Sequence, residues 1–136
     1  MLERNCAALD EGCAIGVDIS ARILFSGALA AQCAVEFPSN SAERLTSAFL
    51  GPCQDGCKIH WEDSMVADAV GELCNMIAGG WKTRLGEPAW QAHLSVPLIL
   101  RGPPAGPESD PHAVRLRLRR AYLFDESPFV VSLTMP

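Results

Sequence analysis

The sequence predicts an α+β domain: an antiparallel β-sheet with two long helices packed on it. Three observations carry this. Apolar and polar residues alternate in two runs near the start of the chain and again in its last third, the signature of half-buried strands. Between those runs lie two stretches with helical periodicity, each bounded by capping and breaking residues. The strands and helices come in groups rather than strict alternation, which favours α+β over a parallel-sheet fold. At 136 residues the chain reads as one domain, 1–136. A chain of this length buries roughly two thirds of its unfolded surface and needs neither metal nor disulfide to fold.

Residues 1–13 read as a short helix-like segment. From Gly16 the pattern alternates: Val17, Ile19, Ala21, Ile23 and Phe25 share one face, Asp18, Ser20 and Arg22 the other. Ser26-Gly27 breaks this strand, and Leu29, Ala31, Cys33, Val35 and Phe37 form the next. The pair reads as a hairpin. Pro38-Ser39-Asn40 ends it. Asn40 is placed to cap a helix with Glu43 as reciprocal partner, and Ala42, Leu45 and Phe49 fall on one face, with Gly51-Pro52 as the stop. A second helix is expected after Glu62-Asp63-Ser64, over Met65–Ala78 and on toward Arg84, with Gly86 and Pro88 ending it. Leu94, Val96, Leu98 and Leu100 predict a third strand. The proline-rich stretch 102–111 is a loop. Val114, Leu116 and Leu118 alternate with Arg115, Arg117 and Arg119 in a strand reaching Phe124, and a turn at Asp125-Glu126-Ser127 leads to a last strand, Phe129–Leu133.

Composition narrows the function. The formal net charge is −5, the reverse of the basic excess expected of a nucleic-acid binder. No apolar run approaches the roughly 18 residues of a membrane span, and the N-terminal residues do not read as a secretory signal. The expected location is the cytoplasm, with no nucleic-acid or membrane partner. Most of the six cysteines are then expected as free thiols in a reducing compartment. Cys53, Cys57 and His60 have metal-like spacing, but a structural zinc site needs four ligands and no fourth is evident. We therefore read this stretch as an ordinary loop, with no metal and no cofactor of the chain's own.

The second helix holds the candidate site. With Asp68 at zero and about 100° per residue, Glu72 falls near 40°, Asn75 near −20° and Gly79 near 20°. Val66, Val70, Leu73 and Ile77 gather on the opposite side, facing the core, while Ala67, Gly71, Cys74 and Ala78 make one flank small. A polar stripe opposite a core stripe is ordinarily just a solvated face. This one is unusual in two ways. Asn is a poor interior helix residue, costing a few tenths of a kcal/mol. The stripe also offers no Lys or Arg for pairing one turn away.

These residues resemble the signature of the CheC/CheX/FliY chemotaxis phosphatases. Its elements are an Asp or Ser, a Glu four residues on, an Asn three further, and a proline a little over twenty residues later; here they are Asp68, Glu72, Asn75 and Pro97. The run Glu72-Leu73-Cys74-Asn75-Met76-Ile77-Ala78-Gly79, followed by Lys82-Thr83, is particularly similar to CheX. The resemblance implies a CheC/CheX-like fold, an aspartyl-phosphate phosphatase acting on a phosphorylated CheY-like receiver, magnesium carried by that receiver, and a homodimer. It implies catalytic roles for Glu72 and Asn75 and supporting or partner-binding roles for Asp68, Gly79 and Pro97. Related CheC chains carry two such helices. The first helix here has Glu43 followed by Thr46 instead of Asn, so one site is expected.

The chain departs from the family pattern in a shorter N-terminal segment, in Gly80-Trp81, and in a longer proline-rich loop. None of these touches Glu72 or Asn75. Arg115, Arg117 and Arg119 read first as a solvated strand face that discourages edge pairing, and alternatively as a docking strip for an acidic receiver or a partner subunit. His60, His93 and His112 are given no catalytic role. The competing functional reading is a non-catalytic module of the same fold that binds a receiver or a flagellar-type protein. Both readings require Asp68, Glu72 and Asn75 to be exposed on one helix that packs on an antiparallel sheet.

Overall fold

The computed structural model describes residues 6–9, 16–51, 61–87, 91–102 and 116–135. In chain order the elements are β1 (Cys6–Leu9), β2 (Ile19–Gly27), β3 (Ala31–Phe37), α1 (Ser39–Leu50), α2 (Asp63–Arg84), β4 (Ala92–Leu94), β5 (Leu98–Arg101), β6 (Leu116–Phe124) and β7 (Ser127–Met135). The seven strands form one antiparallel sheet in the order β1-β6-β7-β3-β2-β4, with β5 also on β2. Because β4 and β5 share the outer side of β2, seven strands fill six positions. The expected α+β architecture is the one observed.

Alternation puts Ile19, Ala21, Ile23 and Phe25 of β2 opposite Phe37, Val35, Cys33 and Ala31 of β3, and all eight are buried in the core. Leu133, Val131 and Phe129 of β7 extend this floor. The two helices meet the floor differently. Helix α1 contacts β3 and β7, the strands that carry Phe37 and Phe129, whose rings stack with centroids 5.1 Å apart. Helix α2 lies over β2, β3 and β5, where Ala21 and Cys33 keep the floor low.

The first helix-like segment of the sequence reading is corrected: Cys6–Leu9 is a strand on the edge of β6, in register Cys6↔Phe124 to Leu9↔Ala121. A short isolated helix is marginal on its own, whereas a strand on β6 gains backbone partners along its length. The single strand expected over Leu94–Leu100 is also corrected, into β4 and β5 with Ser95–Pro97 between them. The cap of α1 differs too. Its N-cap position is Pro38, and the Ser39 N–H donates to Asp18 Oδ2 at 2.7 Å, while Asn40 Oδ1 accepts from the neighbouring Ser41 N–H. Asp18 further donates its N–H to the Phe37 carbonyl and accepts from the Gly102 N–H. One residue at the start of β2 thus joins the ends of β3 and β5 and the start of α1.

The Leu116–Arg120 half of β6 is exposed throughout, so Leu116 and Leu118 are not covered as their alternation with arginine suggested. Arg119 reaches Glu36 of β3 at 3.7 Å, which makes it part of the sheet's own surface; Arg115 lies outside the described residues. So do Cys53, Cys57, His60 and His112.

β6 and β7 are joined by two residues, since Phe124 pairs with Ser127. Asp125 and Glu126 both have positive φ, 45° and 66°, the geometry of the tight hairpin turn that matches strand twist. Asn-Gly is the pair best suited to it. A non-glycine residue in this region costs roughly 1–2 kcal/mol. We expect Glu126→Gly to raise the unfolding free energy by about 1 kcal/mol, read from urea midpoints at constant slope; an unchanged or lowered midpoint would contradict the turn geometry.

Candidate functional site

Helix α2 has 22 residues and is about 33 Å long. Its start is supported by acidic Asp63 and its end by Lys82 and Arg84, the arrangement that complements the helix dipole. Val66, Ala69, Val70, Gly71, Leu73, Cys74 and Ala78 are buried. That set is wider than the apolar stripe alone. It takes in most of the small flank, so the helix is rolled onto its small side.

The reason is visible at two contacts. The Cys74 thiol lies 3.6 Å from the Ala21 carbonyl and 3.8 Å from that of Cys33, a close approach that a larger side chain would prevent. A hydrogen bond with Cys74, then burial, then the neighbouring Cys74 charge push the Cys33 thiol far up, so Cys33 stays protonated and acts as packing. At Gly71, a Cβ would stand 3.5 Å from Pro97 Cβ and 3.5 Å from Ile99 Cδ1. Pro97 is therefore seated on the helix flank next to Glu72. Arg101 adds a third tie, donating from NH2 to the Asp63 carbonyl at 2.8 Å. Its ion pair with the Asp63 carboxylate is long and solvated, 4.0 Å, and adds little.

With the small flank down, Asp68, Glu72 and Asn75 are exposed together on the outer face. Their side chains make no hydrogen bond or ion pair among the described residues. Residues three and four apart on a helix have Cβ atoms about 5–6 Å from each other, so one partner surface can meet all three. Gly79 continues the stripe, half-buried, with no heavy atom within 4 Å of where its Cβ would be. Met65 and Met76 are exposed on the side of the stripe away from Pro97. Sequence reasoning placed Asp68, Glu72 and Asn75 on this exposed face. Pro97, to which the family resemblance assigned a supporting or partner-binding role, packs against Gly71.

The other helix has no equivalent face. Thr46 is fully buried and donates its hydroxyl to the Ala42 carbonyl at 2.8 Å, so the position where a second site would place its amide points inward. A depression of about 500 Å³ beside α1, with Arg44, Ser47 and Trp61 in its lining, includes none of Asp68, Glu72 and Asn75.

No helix among the described residues is long and apolar enough to cross a membrane. The structure resembles the chemotaxis protein CheX from Desulfovibrio desulfuricans, 22% identical, with a TM-score of 0.67 over 97% of this chain and 78% of that one. It resembles CheX from Vibrio vulnificus, 19% identical, TM-score 0.66, over 90% and 78%. A third likeness is to the Borrelia burgdorferi CheX–CheY–BeF3–Mg2+ complex, 16% identical, TM-score 0.69, over 96% and 83%. No curated protein sequence matches.

The packing at Gly71 is open to test. A methyl there would sit at ordinary contact distance from Pro97 and Ile99, and a helix-interior glycine costs about 1 kcal/mol relative to alanine. Gly71→Ala should therefore stabilise the chain by about 0.5–1 kcal/mol, while Gly71→Leu should destabilise it by about 1–3 kcal/mol through overpacking. Equal stability of the two variants in urea unfolding would show that Pro97 does not rest on the helix. The sequence profile described as Chemotaxis phosphatase CheX matches residues 19–113, most of the chain including all of α2 and Pro97, and on that ground the protein belongs to the CheX family.

Proposed function

We propose that this chain removes the phosphoryl group from the aspartyl phosphate of a CheY-type receiver in the cytoplasm, using Asn75 and Glu72. The single observation behind this is that Asp68, Glu72 and Asn75 stand exposed, their side chains without a partner among the described residues, on one helix face whose orientation is fixed from below. An aspartyl phosphate on a receiver brings its own magnesium and lysine. What remains to be supplied is a water held in line with phosphorus, because phosphoryl transfer depends chiefly on positioning and charge stabilisation. An amide has both donor and acceptor atoms, so Asn75 orients that water without titrating. Water oxygen bonds to phosphorus, the bond from phosphorus to the aspartyl oxygen breaks, and inorganic phosphate leaves a free carboxylate. Glu72 pairs with the receiver's lysine across the interface, and Asp68 lines the rim beside it. The Borrelia burgdorferi complex, in which a CheX is joined to CheY with BeF3 and Mg2+, supports a receiver of this kind as the partner.

Asn75→Ala should slow loss of label from a radiolabelled phosphoreceiver by about a hundredfold or more, the scale for one well-placed catalytic group, with receiver binding nearly unchanged. Glu72→Ala should weaken both binding and turnover. If Asn75→Ala turns over like the wild type, the face is a docking surface only, and the protein is a non-catalytic module.

A further inference from the structure

The interruption between β4 and β5 is ordered by hydrogen bonds. Phe25 pairs with Leu94 and Arg22 with Leu98. Two residues of β2, Ile23 and Leu24, therefore face three on the edge, Ser95, Val96 and Pro97. That is a β-bulge, one extra residue on one strand, a device that bends the strand and re-aims its side chains. Leu24 accepts from the Ser95 N–H at 2.9 Å. In a regular pair the Leu24 N–H would return to the Ser95 carbonyl. It donates to the Ser95 hydroxyl instead, at 2.9 Å, and that hydroxyl donates onward to the Val96 carbonyl at 3.0 Å. One side-chain oxygen thus substitutes for a main-chain acceptor and holds the next peptide group.

The bulge has two outputs. Val96 projects into solvent, 84% exposed. Pro97 is turned the other way, onto Gly71. Gly71 precedes Asn75 by one helical turn on nearly the same side, about 40° away on the wheel and roughly 6 Å along the axis. Pro97 thus lies on the helix flank one turn before Asn75, two residues after the Ser95 hydroxyl that holds the Val96 carbonyl.

We propose that Ser95 is a positioning residue of the α2 site: its hydroxyl sets the bulge that seats Pro97 on Gly71, and through Pro97 it fixes the wall along which Asn75 holds its water. This rests on the phosphatase reading given above. Leu24 is itself exposed, so water can replace the lost hydroxyl there and folding should be little affected by its removal. The geometry beside Asn75 has no such substitute.

The experiment compares wild type, Ser95→Ala and Ser95→Thr in steady-state dephosphorylation of a phosphorylated CheY-type receiver, alongside amide hydrogen exchange at Leu24. For Ser95→Ala we expect kcat to fall about tenfold, within the penalty for a small misplacement of a catalytic group, with KM within about twofold of the wild type. Ser95→Thr, which keeps the hydroxyl, should restore kcat, and the Leu24 amide should exchange faster in Ser95→Ala alone. Full activity in Ser95→Ala, or equal loss in the alanine and threonine variants, would overturn the proposal. Absence of turnover by the wild type would sink the phosphatase reading and with it the catalytic part of this one. In that case exchange at Leu24 still decides whether Ser95 holds the bulge, and an unchanged rate in Ser95→Ala rejects it.

Discussion

The close seating of α2 on a floor of small residues is the constraint on which the rest of the structure depends. Cys74 approaches two backbone carbonyls of the sheet, at Ala21 and Cys33, and Gly71 admits Pro97 and Ile99. These contacts set the roll of the helix about its axis. A roll of one residue, about 100°, would carry Glu72 and Asn75 to the flank or into the core. Fully burying a side chain such as Val70 or Leu73 is worth roughly 1.5–3 kcal/mol, enough to hold the helix down. It is the small residues that decide which way it faces, because hydrophobic burial is non-directional. The outward polar face of α2 thus depends on the atoms packed beneath the helix.

The two helices show what happens when the floor differs. Under α1 the sheet presents Phe37 and Phe129, stacked on each other and continued by Tyr122 at 5.6 Å from Phe129. On this helix a polar residue, Thr46, turns inward and satisfies its hydroxyl on its own backbone. Its outer side is occupied by local ties: Trp61 donates to Ser47 Oγ at 2.8 Å, and Arg44 to the Asp125 carbonyl at 3.0 Å. Helix α1 thereby braces the entry to α2 and the β6–β7 turn. The division of work follows from side-chain size beneath each helix.

Much of this was legible in the sequence because periodicity reports which side is buried. The wheel placed Asp68, Glu72 and Asn75 outward and Val66, Val70 and Leu73 inward, and all six lie there. The misses share a cause, which is that the deciding partner lies far away along the chain. Asp18 caps α1 from 21 residues upstream, so the local Asn40 looked like the better candidate. Cys6–Leu9 becomes a strand only because β6 offers it an edge more than a hundred residues later. Leu94, Val96, Leu98 and Leu100 alternate without a fault, and the extra residue at Ser95–Pro97 shows itself only when counted against β2. Leu116 and Leu118 alternate just as well, yet they stand in an exposed half-strand. Periodicity gives a strand's two sides; it does not say whether anything lies over either.

The bulge also has a consequence for how chains of this protein can meet. An open sheet edge is a template on which another chain can add a strand and continue the ladder. Here one such edge is cut into pieces of three and four residues, and the break contains a proline, which has no N–H to offer. An incoming strand would lose its register after a few bonds, so this side is guarded against runaway strand addition. The feature that aims Pro97 at the helix is thus also a barrier to fibril growth.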